Sequence, residues 1–67
     1  MRYRVFTRTW WKRNPSWPDG REPHVGRKSY AGHPSGVTEE EARTYCRQWN
    51  AENDPGPMSR KAEFESE

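Results

Sequence analysis

The sequence contains no leucine and no isoleucine, and its aliphatic and phenylalanine content is five residues: Val5, Val25, Val37, Phe6 and Phe64. Such poverty excludes a conventional aliphatic core, and with a high net charge it would indicate disorder. The net charge, however, is only +2, and nine aromatic residues stand where aliphatics are missing. An aromatic side chain buries ~150–250 Å², so a few of them can close a small core. At 67 residues the expectation is one domain, near the lower size limit for a chain that folds unaided. Cysteine is limited to Cys46, which excludes an internal disulfide. The opening stretch MRYRVFTRTWW has no apolar run long enough for a signal peptide or a membrane span. The expectation is therefore a cytoplasmic protein with no membrane partner.

Charge is unevenly placed. Residues 1–28 carry eight Lys/Arg against two acids, and residues 29–67 carry four against eight. Such a chain can fold its basic half onto its acidic half, or offer a basic face to a partner.

Residues 2–11 alternate with the period of a strand. Tyr3, Val5, Thr7, Thr9 and Trp11 form an uncharged side suited to burial; Arg2, Arg4, Phe6, Arg8 and Trp10 form the outer side. Residues 12–26, with Pro15, Pro18, Gly20, Pro23 and Gly26, read as one long loop. Trp17 is expected to pin that loop to the fold, with a cis bond conceivable at Trp17–Pro18. RKSYAG at 27–32 is a second strand candidate, ended by HPSG. Thr38 is a natural helix N-cap, Glu41 completes a capping box, and Val37 and Ala42 occupy the positions of a hydrophobic staple. Ala42, Tyr45, Cys46 and Trp49 then form one apolar stripe, and the helix should stop near Asn53. Residues 58–66 alternate again as a last strand.

The predicted fold class is α+β: a small two-layer domain, β–long loop–β–α–β. Crossover geometry leaves room for the first strand between the other two, giving a three-stranded, mainly antiparallel sheet of order 2-1-3. The helix covers one face, with Tyr45 and Trp49 meeting Tyr3, Val5, Trp11 and Phe64.

The outer side has three readings. Rings interleaved with guanidiniums resemble a stacking platform for single-stranded nucleic acid. Exposed Trp and Arg are also the residue types that dominate protein-binding hot spots. Alternatively, Glu63 and Glu65, one strand away, absorb Arg4 and Arg8 in cross-strand pairs of ~0.2–1 kcal/mol each. Trp10 and Trp11 must point to opposite faces. His24, His33 and Cys46 show no metal-ligand spacing, so neither metal nor cofactor is expected. The Glu39–Glu41 run reads as a helix start, and no motif of nucleophilic, phosphate-binding or metal-dependent catalysis occurs. A non-enzymatic protein is expected.

YRVFTRTWW, NPSWP, GRKSY, TEEEARTYCRQWN and PGPMSRKAEFE together resemble short proteins encoded by phages, prophages and other mobile elements. That resemblance implies a genomic setting. By analogy with anti-CRISPR-type inhibitors of host defence, it implies a protein that occupies a surface on a host complex, in the host cytoplasm. The leading expectation is such an inhibitor, a monomer or weak homodimer. Phe6, Trp10 and Trp17 would be its apolar anchors, and Arg4, Arg8, Lys12 and Arg13 its steering charges. A small nucleic-acid-binding module using the same residues, and an accessory structural phage protein, are the alternatives.

Overall fold

The computed structural model describes all residues, Met1–Glu67. The helix forms where the local signals concentrate. Helix α1 spans Glu39–Glu52, with Thr38 as N-cap and Asn53 as C-cap, and the reciprocal Thr38–Glu41 capping box is present. Three glutamates in its first turn complement the positive end of the helix dipole. Ala42 and Cys46 face the core, and Tyr45 and Trp49 pack at its margin.

Strand β1 is Tyr3–Arg8, and the last strand, β4, is Lys61–Ser66; between them in sequence lie two short strands, β2 (Trp11–Arg13) and β3 (Arg21–Pro23). β1 and β4 pair antiparallel, with Val5 opposite Phe64 and Thr7 opposite Ala62. One face of this ladder receives α1, and Val5, Ala42, Cys46 and Ala62 form the buried cluster, bordered by Tyr3, Val37, Tyr45, Trp49 and Phe64. The architecture is α+β, with one helix and four strands in two two-stranded sheets.

The expected three-stranded sheet of order 2-1-3 is not formed. Residues 27–32 make no strand; the free edge of β1 meets isolated bridges at Ser29 and Val37 and the carbonyl of Pro34, which accepts from Val5 N–H. The backbone explains this. Gly32 and Gly36 adopt φ of +79° and +65°, and Pro34 has no amide to donate, so a continuous ladder cannot run through the segment.

The expected long loop at 12–26 is also corrected: it folds as the antiparallel β2–β3 hairpin, with Trp11 opposite Pro23, Lys12 opposite Glu22 and Arg13 opposite Arg21. β1 ends at Arg8 instead of running to Trp11, because the Trp10 and Trp11 amides both turn to the Met58 carbonyl. At this corner Gly26 lies against Thr9, where a Cβ would stand 2.5 Å from Thr9 Oγ1. A glycine is required by that close approach. β4 begins at Lys61, not Met58, since residues 55–60 turn back on themselves through Arg60 N–H to Pro55 O. No peptide bond is cis, so Trp17–Pro18 is trans.

Neither hairpin strand packs against β1, β4 or α1. The molecule consequently measures 43 × 22 × 16 Å, with a radius of gyration of 13.5 Å. A compact chain of this length would have a radius of about 11 Å. The difference is the hairpin, which projects from the core as an arm.

Candidate partner-binding interface

The site residues expected from sequence fall into two groups. Arg4, Phe6, Arg8 and Trp10 gather on the outer face of the β1–β4 sheet, and Lys12, Arg13 and Trp17 lie on the arm.

The sheet face is already occupied by its own chain. Arg4 Nε meets Glu65 Oε2 at 2.6 Å and Arg8 Nε meets Glu63 Oε2 at 2.7 Å. Lys28 bonds the other oxygen of Glu65, and Tyr30 donates its hydroxyl to the same carboxylate at 3.0 Å. The Lys28 hydrogen bond, then those from Arg4 and Tyr30, pull the Glu65 carboxyl down to about 2. Phe6, expected as an exposed anchor, is only 2% exposed. Tyr30 meets its ring edge-on at 5.8 Å, and Lys28 and Arg8 lie over it at 4.9 and 5.3 Å. Alternation assigns Phe6 to the outer side correctly, but the irregular 28–30 segment folds over that side. Arg8 also covers Trp10 at 4.5 Å, and Arg4 covers Tyr30 at 4.7 Å. Each guanidinium thus lies on a ring and beside a glutamate of β4. Phe6 is buried, Trp10 and Tyr30 each carry a guanidinium, and the charges that would hold phosphates are paired.

The arm is different. Its turn is closed by backbone bonds from Trp17 to Asn14 and from Gly20 to Trp17, and the Asn14 side chain accepts from the Ser16 amide. Trp17, expected as a pin buried against the fold, is 43% exposed at the tip. Lys12 pairs with Glu22 across the hairpin at 3.5 Å. The carboxyl of Glu22 is lowered first by the Asn14 side chain and then by Lys12. Arg13 is exposed and takes part in no ion pair.

Trp11 was expected in the core beneath the helix. It lies instead half-buried on the arm, with the Arg21 guanidinium 5.2 Å from its ring centre. Arg21, at the turn end of β3, also donates to the Pro57 carbonyl at 2.9 Å, tying the arm to the 55–60 turn. Sequence reading missed Arg21, Lys28 and Tyr30 as parts of these surfaces. The turn residues Asn14, Pro15, Pro18, Asp19 and Gly20 on either side of Trp17 carried the signal for the first, since a hairpin centred on Trp17 sets Arg21 against Arg13.

His33 Nδ1 lies 3.0 Å from the Tyr45 hydroxyl, and its ring packs edge-on against Tyr45 and Trp49. Cys46 is buried under the sheet, and burial raises its thiol above the ordinary value. No helix is long and apolar enough to cross a membrane. No protein-family model, curated protein or solved structure matches the chain.

Proposed function

We propose that the protein is a non-catalytic binder that docks on a host protein complex and obstructs it, with the β2–β3 arm as its docking element. The observation that carries this reading is the arm itself, an ordered hairpin that packs against no other strand or helix. Two-stranded hairpins are marginally stable alone in water. Three-residue strands with an exposed indole at the tip gain most when a partner covers them. Trp17 is the apolar anchor, and Lys12 and Arg13 supply steering; Arg4, Phe6, Arg8 and Trp10 serve the sheet. A mobile-element setting, as the resemblance of the sequence implies, makes a defence complex of the host cell the natural target.

The test is affinity capture from host lysate on the immobilised protein, with and without nuclease. We expect a nuclease-resistant, stoichiometric protein. Trp17→Ala should weaken its capture by about 2 kcal/mol or more, with no change in the melting temperature. Recovery that vanishes on nuclease treatment would move the assignment to nucleic acid, and capture indifferent to Trp17 would remove the arm from the interface.

A further inference from the structure

The register of the arm sets two arginines against each other. Arg13 and Arg21 are direct partners across β2 and β3. Asn14 N–H donates to Gly20 O and His24 N–H to Trp10 O, each at 2.9 Å. Backbone bonds alternate along an antiparallel pair, so Lys12 and Glu22 occupy the hydrogen-bonded position between those two. Arg13 and Arg21 then fall at a non-hydrogen-bonded position, where side chains approach most closely. Like charges placed there repel.

The two faces of the arm therefore differ. One carries the matched pair Lys12–Glu22. The other carries Trp11, Arg13, Arg21 and Pro23, with the Asp19 carboxylate 3.2 Å from Arg21 Nη2. Arg21 holds that acid and also donates to the Pro57 carbonyl, whereas Arg13 has no acid of its own. Arg21 lies over the Trp11 ring, which fixes one guanidinium on an aromatic plate. This face is one carboxylate short of neutrality.

Resting on the role proposed for the arm, we infer that its Trp11–Arg13–Arg21 face is a carboxylate-binding site. Its occupant is an acidic segment of the partner protein, an Asp or Glu side chain seated between the two guanidiniums. Arginine suits this task, because its planar fork accepts a carboxylate through paired N–H donors. A nucleic acid strand fits less well. It needs successive open rings along a basic groove, and here Arg21 covers Trp11, Arg8 covers Trp10, and Phe6 is buried.

The site predicts an unusual pairing of effects. Arg13→Gln removes a repulsion from the free protein and a donor from the complex, so it should hold or raise the melting temperature while weakening binding. Nitrogen-15 NMR titration of the full chain at low salt, reading arginine Nε–H and indole N–H signals, uses three probes: capped hexaglutamate, capped hexaglutamine and hexathymidylate. Hexaglutamate should shift Arg13, Arg21 and Trp11 saturably, and hexaglutamine should not. Arg13→Gln should weaken hexaglutamate binding about tenfold, whereas Arg47→Gln, the same charge change on the helix, should leave it unaltered. Shifts spread equally over Arg27, Arg43 and Arg47, or tighter saturation of the arm by hexathymidylate, would overturn the site. So would an Arg13→Gln protein that melts lower and binds hexaglutamate as the parent does. A cellular partner lost by Trp17→Ala but kept by Arg13→Gln would overturn the carboxylate site and leave the arm as docking element intact.

Discussion

At the scale of single residues, Glu65 is the clearest case of chemistry set by neighbours. Lys28, Arg4 and Tyr30 converge on its carboxylate, and the Lys28 bond, the largest cause, helps take its pKa from 4.5 to about 2. The folded-state value lies below the unfolded one. Stabilisation from this group is therefore complete above about pH 4.5 and lost as pH falls towards 2. Glu65→Gln should melt below the parent at pH 7 and lose less on acidification through that interval. Thermal melts across it check this; parallel curves for the two proteins would contradict the assignment. Cys46 gives a second residue-level expectation. It is 7% exposed, and burial raises its thiol, so thiolate, the reactive form, is scarce. A thiol reagent should modify it far more slowly in native buffer than in denaturant, and equal rates would mean the α1–sheet contact opens freely.

At the scale of elements, α1 rests on its cap and β4 on a side-chain substitute for a strand. Thr38 Oγ1 accepts from the Glu41 amide at 3.2 Å, and Thr38→Ala should cost about 0.5–2 kcal/mol in chemical denaturation. Asn50 lies on the helix face nearest the free edge of β4. Its Oδ1 accepts from Ala62 N–H at 2.8 Å and its Nδ2 donates to Ala62 O at 3.2 Å, as a neighbouring strand would. Edge strands invite pairing with other chains unless blocked. Asn50→Ala should cost about 1–3 kcal/mol, because it strands two backbone groups of a buried residue. Sedimentation should also reveal concentration-dependent association of that variant; a variant as stable and as monodisperse as the parent would mean that solvent serves Ala62 equally well.

These elements also show what a sequence can disclose. The helix was legible to its caps because Thr38, Glu41 and the Ala42–Trp49 stripe are local signals. β1 and β4 were legible through their alternation, and so was the cross-strand pairing of Arg4 and Arg8 with the glutamates of β4. The hairpin was not, since three residues per strand leave no measurable period and its prolines read as loop. Phe6 was misplaced because alternation gives the side of a strand but not what the rest of the chain lays over it, and Trp11 because β1 ends at Arg8 and its alternation does not reach that far. Lys28 and Tyr30 come from a segment with no regular structure, and their position above Phe6 is a tertiary fact.

At the scale of the molecule, the uneven charge is largely settled internally. Arg4, Arg8 and Lys28 from the basic half meet Glu63 and Glu65 from the acidic half, so the core presents a neutralised face. The arm lies outside that settlement, standing off a small core in a molecule 43 Å long. Stability and binding should therefore reside in different parts of the chain. Exposed charges contribute little to stability, so Arg13→Glu should leave the melt of the core unchanged, whereas breaking the Arg8–Glu63 pair should lower it modestly.

Amide hydrogen exchange, followed residue by residue in the free protein and in its captured complex, tests this division most directly. In the free protein the Phe6 and Glu63 amides should be protected close to the limit of global unfolding, and the Lys12 and Glu22 amides should exchange much faster. On binding, protection should rise across 11–23 and change little in β1 and β4. Protection that rises on the outer face of β1–β4, while the arm continues to exchange as in the free protein, would contradict the arm as the docking element.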